Sequence, residues 1–301
     1  MFMTILPLAL VDGISYASLL FLVSMGLTLI FGVMGILNVA HGSFYAFGGY
    51  AAATFLPWVA MYTDSPWLLM ATLFAVALIV GAFMGGILEI VFIRHSYAYD
   101  PVLKLLITFG VFLMLEDVRG LIWGPQPYSA NEIVQSMGNT ELWGITYTSY
   151  QLIVVPIIAL LAYLGLSYFL SRTNLGKQTV AIIHNREVAE SQGINAKKIG
   201  LITFTIGAVL GAIGGALSAP TTSLVPGSSA DMIVLSFAVI ATAGLGQISG
   251  ALIAAILIGI ARSLAVYLAP DFEVATPYII MVIVLIIRPN GLFTVAQART
   301  I

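Results

Sequence analysis

Long apolar runs separated by small charged clusters dominate the chain. No Lys, Arg, Asp or Glu occurs in the 51 residues between Asp12 and Asp64. Further charge-free runs of 30, 32 and 30 residues separate Glu141 from Arg172, Lys198 from Asp231, and Asp231 from Arg262. A helix needs about 20 apolar residues to cross hydrocarbon, and in lipid every backbone N–H and C=O must be satisfied within the segment. The runs therefore predict helices. A β-barrel would need roughly ten-residue segments of alternating polarity, and Leu152–Leu166 and Ile253–Ile260 do not alternate. The pattern places spans at 14–37, 40–60, 67–93, 101–122, 149–170, 199–219, 231–247, 250–269 and 275–288. The expected architecture is one all-α, polytopic transmembrane bundle of about eight to ten spans over residues 1–301. The 275–288 run is short for a full crossing. The Gly- and Ser-rich stretches 38–50 and 231–250 suit broken or partly re-entrant helices, which survive at depth only when buried in protein or lining a cavity.

Composition narrows the function classes. Charged residues make up 8% of the chain, against about 25% in soluble domains. A net charge of −2 leaves no basic footprint for nucleic acid. The absence of cysteine excludes disulfides, thiolate nucleophiles and thiolate metal ligands. Lys177 follows Gly176 but lacks the upstream glycine and the following Ser or Thr of a phosphate-binding loop, so ATP is not bound by that route. His41, His95 and His184 lie in separate regions, with no HExxH and no GxSxG. No metal, cofactor or catalytic group is expected; the lipid bilayer is the obligatory partner.

Cations set the orientation. Arg94, Lys104, Arg172, Lys177, Arg186, Lys197, Lys198, Arg288 and Arg299 fall on one side of the nine-span topology. Asp12, Asp64, Asp117, Glu132, Glu141, Asp271 and Glu273 collect on the other. The N-terminus is expected outside and the C-terminus in the cytoplasm. The first helix has no basic n-region and no small-residue cleavage site, so it reads as a retained span.

The longest cytoplasmic segment, about 172–198, interleaves Val180, Ile183, Val188 and Ile194 with His184, Asn185, Arg186, Glu187 and Glu190. This predicts an amphipathic helix pair joined near Asn185, with Gly176 ending the preceding helix in a left-handed cap. Ala189 and Gly193 are small enough for close contact. The pair reads either as a solvated connector or as a docking element for a cytoplasmic partner's groove. The outside loop, about 123–148, carries Trp123, Pro125, Pro127 and Trp143, suited to the interfacial belt or to seating an external partner.

Two ionisable residues fall within spans. Glu89 lies just before Arg94 and is placed to reach the interface or pair locally, whereas Arg262 lies deeper and calls for a partner, such as Glu89 or a half-helix carboxyl end. Gly207, Gly211 and Gly215 recur every four residues, as do Gly81 and Gly85, a spacing for close helix packing. Two polar interruptions break apolar runs: one contains Asn38, His41, Gly42 and Ser43, the other Gly244, Gly246, Gln247 and Gly250. Each is either a tight packed turn or a broken helix whose free N–H groups suit a carboxylate. A lone histidine such as His41 is more often a hydrogen-bonded core residue than a ligand.

At Asn38-Val39-Ala40-His41-Gly42, followed by Gly48-Gly49-Tyr50, the chain resembles the LivH-type permease family of branched-chain amino acid ABC importers. Three further segments agree in order. Thr173-Asn174-Leu175-Gly176 through Asn185-Arg186-Glu187 to Gly193-Ile194 resembles its cytoplasmic coupling segment. Gly244-Leu245-Gly246 to Gly250 resembles its glycine repeat, and Arg288-Pro289-Asn290-Gly291-Leu292-Phe293 its terminal motif. Val180-Ala181 stands where an Arg-Ala step is usual, and Ala243 and Ala254 stand where glycines are usual. The resemblance implies a permease subunit in a bacterial inner membrane. It would work with a second homologous permease or a second copy of itself, two cytoplasmic ATP-binding subunits, and an external solute-binding protein. The implied cargo is branched-chain or other amino acids. Coupling would use Gly176, Asn185, Arg186, Glu187, Ala189 and Gly193. The alternative is a secondary carrier or channel for a small polar solute such as urea or an amide.

Overall fold

The computed structural model describes residues 2–35, 37–97, 99–142 and 145–293. Trp143 and Arg299 lie outside the described residues. The long helices are α1 (Phe2–Met34), α2 (His41–Ala60), α3 (Pro66–Leu88) and α4 (Pro101–Trp123). A π-helical turn, Glu89–Ile93, carries α3 on to Ser96. Between α4 and the next long helix come a short α5 (Glu132–Met137) and an antiparallel hairpin, β1 (Asn139–Leu142) with β2 (Ile145–Thr148). A second π-turn, Tyr150–Val154, leads into α6 (Val155–Arg172). Then follow α7 (Asn174–His184), α8 (Arg186–Ser191), α9 (Ala196–Ser218), α10 (Ser228–Ala243), α11 (Ile248–Leu268) and α12 (Thr276–Ile287).

Local chemistry explains the starts. Pro66 and Pro101 occupy first-turn positions, where a missing N–H costs nothing. The Asp100 carboxylate accepts from Val102 N and Leu103 N at 2.9 and 3.0 Å, an N-cap for α4. Asn195 caps α9 through Lys198 N at 3.0 Å.

Each predicted span contains one long or apolar helix. Five are long and apolar enough to cross a bilayer: Ile5–Met34, Pro66–Ser96, Tyr150–Arg172, Ala196–Ser218 and Ile248–Leu268. The chain is a multi-pass membrane protein. α10 and α12 have 16 and 12 residues, about 24 and 18 Å of helix, short of the ~30 Å hydrocarbon core. The small hairpin is an addition to the all-α expectation, at a place where the sequence suggested only a loop.

α9 packs against α1, α2 and α3, and α11 lies along α1. The glycine spacing acts as expected. A Cβ on Gly207 would lie 2.8 Å from Gly26 O, one on Gly215 1.8 Å from Tyr45 O, and one on Gly81 2.6 Å from Val209 Cα. Backbones approach directly at these crossings, the geometry small residues permit in lipid. Gly13 and Gly259 do the same between α1 and α11. α4 leaves Val102, Leu106, Leu113, Leu121 and Ile122 exposed, a surface for lipid or another membrane chain. Eight of the nine cations that the sequence placed together belong to described residues and sit at helix ends or in α7 and α8. They form a basic end of the bundle, and the hairpin marks the opposite one.

Candidate functional site

The segment between α6 and α9 is two helices, each with its own cap. α6 ends at Arg172, and Thr173 turns the chain into extended geometry at φ −91°, ψ 153°. Its hydroxyl then accepts from Gly176 N at 3.0 Å and starts α7. Gly176 therefore does not end α6 in a left-handed cap, as the sequence suggested; it lies buried inside α7. Its need is steric, since a Cβ there would lie 1.9 Å from Phe169 O. Asn185, extended at φ −159°, separates the helices and caps α8 through Val188 N at 3.0 Å. Ala189 is buried, as expected. Gly193 is not a close-contact glycine: it has φ +82° and nothing within 4 Å of where a Cβ would sit. It closes α8 in the left-handed conformation that only glycine adopts freely. Leu175, Ile183 and Val188 remain exposed on these two helices, beside exposed His184 and Glu187.

α8 is tied to the bundle through a polar chain. The Arg186 guanidinium pairs with Glu190 at 3.0 Å and lies 4.8 Å over the Tyr97 ring. The Tyr97 hydroxyl donates to Glu89 Oε1 at 3.0 Å, and Arg94 Nη2 donates to Glu89 Oε2 at 2.8 Å. Glu89 thus pairs locally, with a fully buried carboxylate. Burial first, then the Glu89 charge, raise the Tyr97 phenol above its ordinary pKa, so it stays a proton donor. The sequence reading missed Tyr97, because no periodicity marks an aromatic just past a span's end.

From Leu37 to Ser43 the chain folds back along α1. The His41 imidazole Nε2 lies 3.0 Å from Val23 O. Val23 precedes the α1 terminus by eleven residues, so α2 begins about 16 Å back along α1. The connecting chain is pinned by Thr108 of α4, which accepts from Val39 N at 3.3 Å and shares its proton between Leu105 O at 3.0 Å and Leu37 O at 3.3 Å. Gly42 abuts the start of α10, where a Cβ would lie 2.2 Å from Ser229 O. His41 sits in the core at the α1–α9 crossing, as a structural hydrogen-bonding residue. The Asn38 side chain is buried with neither amide atom partnered, and the Ser43 hydroxyl is buried without a partner too. Buried amides normally find partners, so the Asn38 side chain is an exception among the described residues. Because the chain has no cysteine, Asn38→Cys can be labelled alone. It should be protected from maleimide in an otherwise unchanged protein and become reactive when Thr108→Val frees the loop; labelling rates in membranes check this.

The 244–247 stretch is a tight turn leading straight into α11. Gly244 and Gly246 have φ +104° and +81°. Leu292 N donates to Thr242 O and Phe293 N to Ala243 O, both at 2.9 Å. Gly250 faces the Phe293 ring, and Gln247 precedes the first residue of α11. The glycine repeat and the Arg288–Phe293 motif are thus two halves of one contact.

Three pairings escaped the sequence reading. Glu116 and Arg119 of α4 form a bridge at 2.8 Å, and Arg119 is buried. Glu116 also accepts from Gly227 N at 3.4 Å and from the Ser229 hydroxyl, capping an α10 start that has no side-chain cap of its own. Arg262 pairs with Glu273, not with Glu89 or a half-helix end, and stacks over Tyr16 at 4.1 Å. Trp123 packs edge-on against Phe47 and donates to Thr54 Oγ1 at 2.9 Å. At the hairpin end a cavity of about 310 Å³ is lined by Asp64, Glu132, Gln135 and Ser136, among others. Among the described residues no cluster of three or more His, Asp or Glu could hold a metal.

Residues 9–287 match the family described as branched-chain amino acid transport system / permease component. The chain is 27% identical over 289 residues to the high-affinity branched-chain amino acid transport system permease protein LivH of Escherichia coli K12, covering 93% of each. It is 29% identical over 298 residues to a probable branched-chain amino acid transport permease protein LivH of Methanocaldococcus jannaschii, covering 93% of this chain and 90% of that one. A 24% identity over 312 residues links it to the permease protein LivM of E. coli K12, over 96% of this chain and 71% of that one. No solved structure matches the chain. With a family match running from the first helix to the last, the chain belongs to the permease component family of branched-chain amino acid transport systems.

Proposed function

We propose that the chain is the membrane-spanning permease subunit of an ATP-driven importer. It passes a small solute, branched-chain or other amino acids, from an external binding protein into the cytoplasm. ATP is hydrolysed on two separate cytoplasmic subunits. The observation that carries this reading is the α7–α8 pair: three side-chain or glycine caps hold it, and it keeps Leu175, Ile183 and Val188 exposed. A solvated connector needs neither such capping nor an apolar surface, whereas a helix that seats in a partner's groove needs both. The basic end, with α7 and α8, faces the cytoplasm by the positive-inside rule, which puts the N-terminus outside. The likeness to both LivH and LivM of one organism supports pairing with a second, related permease. The Asn38–Ser43 loop and its contact with the start of α10 are the elements expected to rearrange as solute passes.

The test is assembly and coupled transport. The chain, co-expressed with the ATP-binding subunits, should co-purify with them and support ATP-dependent uptake of labelled leucine in vesicles with the binding protein. Replacing Arg186 and Glu187 together with alanine should lower uptake about tenfold or more, equivalent to 1.4 kcal/mol of lost coupling, while ATP hydrolysis and membrane insertion persist. Gradient-driven uptake by the purified chain alone would instead establish a secondary carrier.

A further inference from the structure

We propose that Tyr97 is a positioning residue that transmits movement of α8 to the π-helical turn of α3; this rests on α7 and α8 being the coupling element. The Arg186 guanidinium covers the Tyr97 ring from α8. The Tyr97 hydroxyl holds Glu89, the first residue of the π-turn. The side chain also fills the space that Gly200 leaves on α9, where a Cβ would meet its hydroxyl at 2.8 Å. One side chain thus joins three helices at the basic end.

Two features suit this contact to transmission beyond packing. First, the turn it holds is wide: Arg94 N donates to Glu89 O, five residues back. Such π-turns recur at functional sites because the extra residue can be absorbed or moved along a helix. Converting the turn to ordinary α-helix rotates everything beyond it on α3, which carries Gly81 and Gly85 against α9. Second, the carboxylate that Tyr97 holds is fully buried, with Arg94 as its charged partner. A buried carboxylate tolerates few alternative arrangements, so losing or shifting the Tyr97 hydroxyl changes which turn is stable. A rigid-body push from α8 becomes a choice between two helical registers, the bistable kind of element through which packed proteins switch.

The experiment compares solute moved per ATP hydrolysed in vesicles holding the complete complex. Tyr97→Phe keeps the ring for Arg186 and removes only the hydroxyl. It should lower the ratio about tenfold, the size of one hydrogen bond to a charged group, with co-purification of the ATP-binding subunits and ATP hydrolysis unchanged. Glu89→Gln should move the ratio in the same direction. A Tyr97→Phe complex with the original ratio overturns the linkage. So does an equal fall in hydrolysis and uptake, or loss of the assembled complex, which would make Tyr97 a purely structural contact. An unsubstituted complex with no ATP-dependent uptake overturns the importer reading itself, and this inference with it.

Discussion

Glu116→Ala should destabilise the folded chain by about 3 kcal/mol or more, the usual result of stranding a buried charge. Arg119 is buried and loses the one carboxylate it pairs with among the described residues, keeping Gly124 O and the Tyr50 ring, while the start of α10 loses the acceptor for Gly227 N and the Ser229 hydroxyl. The expected readout is a lower apparent melting temperature in detergent and reduced accumulation in membranes. The paired variant Glu116→Gln with Arg119→Met should lie closer to the unsubstituted protein, because it removes both charges and keeps volume. If the single and paired variants are equally damaged, the ion pair is not what holds α4 to α10.

Gly215→Ala should prevent a monodisperse protein from forming. The added Cβ would lie 1.8 Å from Tyr45 O and 2.7 Å from Tyr45 C, both backbone atoms at the α2–α9 crossing. Neither can rotate away, so the helices must part. Its neighbour provides the control. A Cβ on Gly214 would meet Val23 Cγ2 at 2.6 Å, the end of a side chain that can turn, and Gly214→Ala should be milder. Gly165→Ala has nothing within 4 Å and should be neutral or slightly stabilising. Size-exclusion profiles of the three variants, side by side, decide the matter. Equal behaviour of Gly215→Ala and Gly165→Ala would refute the crossing.

Much of the architecture was legible because lipid imposes a simple rule. Charge-free runs had to be helices, and each of the nine predicted spans holds one. The break between α7 and α8 near Asn185 was legible too, whereas the caps by Thr173 and Asn185 emerged only with the structure. Depth was less legible. Nothing in Gly35–Ala40 reveals that α2 starts far back along α1; that follows from the long-range contact between His41 and Val23. Pairings across sequence distance were hidden for the same reason. Arg262 finds Glu273 across a turn, Glu116 finds the start of α10, and Trp123 finds Thr54. Gly176 shows a subtler miss. Both a cap and a close approach require glycine, and only the position of Phe169 O decides between them.

The clasp between residues 292–293 and the end of α10 bears on how the protein is made. The last carbonyls of a helix lack intrahelical partners, and here Thr242 O and Ala243 O are satisfied by backbone N–H groups fifty residues later in the chain. At ordinary ribosomal speeds of about 5–20 residues per second, those donors follow roughly 3–10 s after their acceptors. Until then the turn between α10 and α11 lacks this latch. Synthesis of Leu292 and Phe293 thus closes a turn made fifty residues earlier, and a nascent chain stalled before Leu292 would present that turn open to quality-control proteases.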